Sequence, residues 1–268
     1  MSKIIAIDAG HGKYTAGKRC LKSIDPVQTR EWILNDRIAD RLQELLAGYD
    51  CKVIRVDDTT GRKDISLSAR VNTANNAKAD VYISIHHNAG VNGGTGGGTV
   101  VYYYSSNIQR TLQARALYNR IVEKTGLNGN RSEPVQKYGF YVIKKTRMPA
   151  FLVENGFMDS KMDTPIILTA EHAEKTAQGI LTFLVEHFTL DPKGFFTEPA
   201  EQQNGMYYPA YTGKKTTLSA ALASLGINST YVFRKQIAAV NNITGYRGAA
   251  VQNTQMYNLL VAGLLKKK

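Results

Sequence analysis

Two short apolar runs that end in histidine limit what this chain can become. Ile4, Ile5, Ala6 and Ile7 form the first, and Asp8, Ala9, Gly10, His11 and Gly12 break it with small residues and one imidazole. That pattern predicts a buried strand ending in a tight turn. In an open α/β sheet, ligands sit at the carboxyl ends of strands, where glycines let the backbone bend and leave the neighbouring side chain facing a cleft. A lone Gly-His-Gly after a strand is more often a turn with a surface histidine. The stretch Tyr82 to Asn88, YISIHHN, repeats the design. Two strand ends carrying imidazole can converge on one ion, and zinc accepts both neutral imidazole and carboxylate.

The pattern around these runs alternates. Arg30 to Gly48 reads as a helix with Leu34, Ile38, Leu42, Leu45 and Leu46 on its inner face, and Gly48 as its stop. Lys52 to Val56 reads as a strand, Ile65 to Ala77 as a helix, and Asp80 to Ile85 as a strand with His86, His87 and Asn88 at its end. Thr99 to Tyr104 is a further strand and Gln109 to Glu123 a helix. Asn128 to Lys137 reads as a loop, Phe140 to Ile143 and Ala150 to Val153 as strands, and Glu171 to Phe188 as a helix in which His172 and His187 are packing or solvated residues. The run Gly93 to Gly98 lacks the Lys-Ser/Thr of a phosphate-binding loop and precedes a strand, so it reads as a connection. Strands alternating with helices predict an α/β fold, an open, mostly parallel or mixed sheet with helices on both faces.

Residues 191 to 205, with Pro192, Gly194, Pro199 and a Gln-Gln-Asn run, read as a linker between a domain over 1–190 and a second over 206–268. Helical patterns around Leu218 to Leu225, Tyr231 to Val240 and Ala249 to Val261 make the second domain small and mainly helical. Charge separates the two as sharply as pattern does. From Gly205 onward the chain has eight Lys and Arg residues and no Asp or Glu, so this stretch carries +8 of the net +12. Such a balance suggests a polyanionic partner. Cys20 and Cys51, far apart and without metal-ligand spacing, read as two reduced thiols. No apolar run approaches the roughly 20 residues needed to span a bilayer, and the first residues show no signal-peptide pattern. The expectation is a protein made in the cytoplasm without membrane insertion, which needs help to act outside.

Four residues sit where a cleft can gather them: His11 and His86 at strand ends, Glu31 in the first turn of a helix, and Glu154 after a strand. An acid in a first helical turn ordinarily serves the helix dipole, and alternatively this one points back at His11. Two histidines and one glutamate make a three-ligand catalytic zinc site with a position left for water. The remaining carboxylate, Glu154, suits transfer of the water's proton to a leaving amine, since an amide nitrogen leaves poorly until protonated.

In that order the motifs resemble the zinc-dependent N-acetylmuramoyl-L-alanine amidases of the Amidase_3 type, which cleave peptidoglycan. The resembling stretches are IAIDAGHG with His11, Glu31 followed four residues later by Asn35, LSARVNTAN, ADVYISIHHNA with His86, and PAFLVENGFMDS with Glu154, spanning residues 3 to 188. Lys13 and Tyr14 depart from the family's usual continuation after Gly12. The resemblance implies His11, Glu31 and His86 as zinc ligands, with His86 preferred over His87, and Glu154 as the catalytic carboxylate. The second domain, through SLGINS and RKQIAAVNNITGYRGAAVQNTQMYNLL, is similar to wall-binding modules of lysins from phages that infect Gram-positive bacteria. That implies anionic wall polymers as its partner rather than nucleic acid, and a lysin that waits in the host cytoplasm until the membrane is permeabilised. Two other readings stay open here. One is a zinc peptidase or carboxypeptidase, with Arg70, Arg131 or Arg147 reading a substrate carboxylate; the other is a non-enzymatic polyanion-binding protein.

Overall fold

A computed structural model describes residues 2–193 and 206–268. Two compact units emerge, Met1–Lys193 and Gly194–Lys268. The first contains β1 (Lys3–Ala9), α1 (Glu31–Leu46), β2 (Cys51–Arg55), α2 (Leu67–Asn76), β3 (Val81–Asn88), β4 (Thr99–Tyr103), α3 (Ile108–Thr125), β5 (Val135–Lys137), α4 (Tyr141–Lys145), β6 (Ala150–Phe157), α5 (Thr164–Ile167) and α6 (Ala170–Phe188). Its six strands form one sheet in the order β2-β1-β3-β6-β4-β5. Every pair is parallel except β4 with β6. The sheet is therefore mixed, and the expected α/β architecture is the one observed.

Alternation along the strands sorts side chains onto two faces. Ile5, Ile7, Val81, Ile83, Phe151 and Val153 bury one face against α1, α3 and α6. Ala6, Tyr82, Ala150 and Leu152 bury the other against α2 and α4. In α1 the spacing of Ile38, Leu42 and Leu46 lays one stripe on the first face, each such side chain contributing about 2 kcal/mol by leaving water. From β1 the chain passes through α1 to β2 on one side, then returns through α2 to β3 on the other. The switch point thus lies between β1 and β3, where open α/β sheets hold their ligands.

Three local expectations need correction. Phe140 to Ile143 does not form a strand: α4 covers Tyr141–Lys145, with Val142 and Ile143 buried. A four-residue apolar run carries no usable periodicity, and here Val142 and Ile143 fill the face beneath α2. The loop expected over 128–137 ends in an edge strand, β5, parallel to β4. His86, His87 and Glu154 do not follow their strands but lie within β3 and β6, because pairing of these strands continues to Asn88 and Phe157.

The second unit has its own core. Helices α7 (Leu218–Ser224), α8 (Tyr231–Val240) and α9 (Ala250–Val261) pack Leu218, Leu222, Ile237, Met256 and Leu260 together, with Tyr211 and Leu265 closing the cluster. A bridge between Tyr207 and Lys266 brings the two ends of this unit side by side. Of the expected linker, residues 194–205 lie outside the described residues. The rest belongs to the first unit, where Asp50 and Lys193 exchange backbone hydrogen bonds with Asp191 and Gly48. No helix among the described residues is long and apolar enough to cross a membrane. Cys20 and Cys51 are both free, and burial followed by the charges of Asp25 and Glu31 pushes the Cys20 thiol up to about 12.

Candidate metal centre

The carboxyl ends of β1 and β3 and the first turn of α1 meet at one point. His11, just past β1 and in a left-handed backbone conformation (φ 67°), places Nε2 3.3 Å from Glu31 Oε2. His86, within β3, places Nδ1 3.1 Å from Glu31 Oε1. One ligand atom from each of these three residues lies within 4.8 Å of the others. The two imidazoles stand edge to face, 5.0 Å between ring centres. Glu31 therefore does not cap its helix; it turns back to the histidines.

Electrostatics at this point favour a cation. Burial alone would raise the Glu31 carboxyl, but hydrogen bonds and charge from His11 and His86 hold it well below the usual carboxylate range. Burial likewise works to lower His86, and Glu31 outweighs it and raises this imidazole. Glu31 Oε2 is buried, with His11 Nε2 at 3.3 Å and Lys18 Nζ at 3.9 Å. A buried anionic oxygen is costly unless something positive completes it. Two imidazoles and a carboxylate are the donor set of a catalytic zinc site, so the residues present fit that metal.

Glu154 stands beside His86 in the β3–β6 register, so both side chains leave the same face of the sheet. With His11 and Lys18 they line a cavity of about 550 Å³. Burial pushes the Glu154 carboxyl up to about 7, with His86 opposing and Glu31 adding to the rise. Its Oε2 is buried and unpartnered.

Neighbouring positions of β3 separate the two histidines. His86 faces the cavity, whereas His87 faces α1 and α6, with Nδ1 2.8 Å from Asn35 Oδ1. Burial and His172 depress the His87 imidazole to about 3. Asn35 uses its other end to donate to the Gly10 carbonyl at 3.1 Å, so one fully buried amide ties β1 beside His11 to β3 beside His86. Gly10 must be glycine: a Cβ there would lie 2.0 Å from the His86 ring.

Sequence reasoning left Asp8 in a turn and Arg70 as a candidate reader of substrate carboxylates. Asp8 instead lies inside β1 and is fully buried, accepting from Tyr82 and Ser84, each at 2.8 Å, and pairing with Arg70. Arg70 also donates to Ile65 O, Ala9 O, His11 O and Asp64 Oδ1. All five of its N–H groups are thereby used within the protein, and none is left for a substrate. Arg131 lies over the Phe157 ring at 4.8 Å. The signal for Asp8 was an acid inside an apolar run, which a strand tolerates only with a partner.

Residues 5–186 match Amidase_3, N-acetylmuramoyl-L-alanine amidase, over more than half of the chain. The chain belongs to this family. Among its relatives, the N-acetylmuramoyl-L-alanine amidase CwlM of Bacillus licheniformis is 30% identical over 186 residues, covering 69% of each chain. The endolysin of Bacillus phage SPP1 is 28% identical over 206 residues, covering 75% of this chain and 72% of the relative. The crystal structure of an N-acetylmuramoyl-L-alanine amidase from Clostridium difficile 630 superposes with a TM-score of 0.63 at 28% identity, covering 70% of this chain and 97% of that one. Peptidoglycan amidase activity is thus the activity that family and relatives support, and the amidase match ends close to the end of α6.

Proposed function

We propose that this amidase hydrolyses the bond between N-acetylmuramic acid and L-alanine with a zinc ion held by His11, Glu31 and His86, and with Glu154 carrying the proton. The observation that carries this reading is the convergence of two imidazoles on the buried Glu31 carboxylate, beside the cavity that His11, His86 and Glu154 line. When bound, zinc supplies Lewis acidity to the scissile carbonyl and to water. The chain's own residues do the rest. Glu154, unpartnered at Oε2, takes a proton from the attacking water and delivers it to the alanine nitrogen as the C–N bond breaks. Its place beside His86 on the cavity lets one carboxylate serve both halves of that transfer. Arg70 holds the His11 carbonyl, and Asn35 the Gly10 carbonyl, so the turn bearing His11 keeps its place beside Glu31 and His86.

The reading extends to the whole chain. Similarity to a phage endolysin and the acid-free stretch from Gly205 onward support a lysin of Gram-positive walls, in which residues 206–268 hold the enzyme on anionic wall polymers. In this reading the protein acts from inside the host after the membrane is permeabilised.

Two substitutions test the chemistry. Glu154→Gln should keep zinc while losing turnover by on the order of 10² to 10⁴, whereas His86→Ala should lose metal and activity together. Metal analysis and mass spectrometry of digested walls read both outcomes and fix the bond cleaved. A Glu154→Gln protein that is folded but empty of zinc would make Glu154 a ligand and overturn the division of roles.

A further inference from the structure

The second unit carries a groove that its own core leaves unfilled. It runs between α8 and the loop over 242–247, encloses about 650 Å³, and is lined by Tyr231, Lys235, Asn242, Thr244 and Arg247. Volumes of this size accommodate small ligands or one or two units of a polymer. Tyr231, Lys235 and Ala239 recur every four residues along α8, so they share one face of the helix and Ala239 leaves room at its end.

The aromatic wall is built rather than incidental. Tyr231 is 46% exposed and stacks on Tyr246, which is 5% exposed, at 5.8 Å between ring centres. Tyr246 is itself fixed: its hydroxyl accepts from Arg234 Nε at 2.9 Å and donates to Asn253 Oδ1 at 2.5 Å. Arg234 additionally donates to the Ser229 carbonyl, so this cation is spent on support. A Cβ on Gly248, at φ 75°, would press to 3.2 Å from the Tyr231 ring edge. One face of Tyr231 is thus backed by a locked ring, and the remaining surface is presented to the groove.

Charge selects the occupant. Lys235 and Arg247 are exposed at the groove, and the stretch from Gly205 onward contains no acidic side chain to pair with either. Two cations, an aromatic plate, the Thr244 hydroxyl and the Asn242 amide lining one groove match a ring with apolar and hydroxyl faces that carries an anion. We propose that this groove binds a phosphate- or carboxylate-bearing sugar unit of an anionic wall glycopolymer. The proposal rests on the reading of the second unit as the wall-holding part, since the amidase match supplies the reason to favour a wall polymer over a nucleic acid.

The test uses the full chain, in brief contact with purified Gram-positive walls at 4 °C and physiological salt, with bound protein measured by sedimentation. Lys235→Gln, which removes charge from an exposed position, should weaken binding about tenfold, as loss of one charge-assisted contact does. Tyr231→Ala should do the same or more. Lys268→Gln, at a residue that does not line the groove, should change it less than twofold. Walls with their anionic polymers extracted should hold wild-type protein no better than Lys235→Gln holds to intact walls. Circular dichroism checks each fold, and should Tyr231→Ala unfold the unit, Lys235→Gln and Arg247→Gln decide. Wild-type binding to walls that is unmoved by Lys235→Gln and Arg247→Gln overturns the groove but not the wall-holding reading. Equal binding to extracted walls overturns the ligand class. Failure of the wild type to bind walls at all, or its displacement from them by duplex DNA, overturns the wall-holding reading itself.

Discussion

At the scale of single residues the site depends on groups that never face substrate. Asn35 satisfies Gly10 and His87 with the two ends of one buried amide, and so sets the distance between the strands that carry His11 and His86. Partners one step removed from a metal commonly change its affinity 10- to 100-fold. Asn35→Leu should lower zinc affinity by about that factor, read by competition with a chromogenic chelator, while retaining the far-ultraviolet spectrum of the fold. Unchanged affinity would show that the strands hold their spacing without the amide. That His11, Glu31 and His86 come together, with Glu154 beside them, was legible because histidine at the end of an apolar run is an uncommon pattern, and Glu31 and Glu154 stand close to such runs or end one. Asn35 and Arg70 were not legible as clamps, because an amide or a guanidinium on a helix looks solvated until the fold shows what it faces. His86 and His87 could not be told apart by residue type either; the pleat separates them.

At the scale of elements, α6 packs over the site's inner side and brings His172 against β6 and β3. Its Nε2 lies 3.1 Å from the Asn155 carbonyl, and its ring centre 6.3 Å from that of His87. Burial depresses His172 to about 4, with Lys175 adding to the fall and the Asn155 carbonyl opposing it. Because an unfolded histidine titrates near about 6.5, the unfolded chain takes up this proton first as pH falls. The stabilisation is complete above pH of about 6.5 and drains away toward the folded value, at up to about 1.4 kcal/mol per pH unit. Metal-free protein should therefore lose on the order of 2 kcal/mol through His172 between pH 6.5 and 4.5. Denaturant unfolding at several pH values measures it, and His172→Leu should flatten the curve by a similar amount; an equally steep variant would place the loss elsewhere. Long amphipathic helices such as α1, α3 and α6 were legible almost to their ends, as were α8 and α9, since ten or more residues carry a clear period. Two of the shortest elements were not. Phe140 to Ile143 reads as strand or helix with equal ease, and β5 is three residues that gain their structure only from pairing with β4.

At the scale of the whole molecule, the acid-free stretch from Gly205 onward falls within a unit that has its own core. Composition alone exposed that stretch, because 64 residues without an Asp or Glu need no structure to be noticed. Which groove on the second unit meets a partner was beyond composition, since Arg234 and Lys235 are neighbours in sequence yet one is consumed by Tyr246 and the other faces solvent. If the protein acts from inside its host, its expression in a susceptible bacterium should leave the culture turbid until a pore-forming agent is added, after which turbidity should collapse within minutes. Lysis of the culture with intact membranes would contradict that order of events. The bridge between Tyr207 and Lys266 has a different consequence. A folded segment whose entry and exit lie side by side can be spliced into a surface turn of an unrelated scaffold without stretching either partner, as well as appended to a terminus. The second unit is in that sense a detachable cartridge, and its geometry suits grafting onto enzymes that have never met a cell wall.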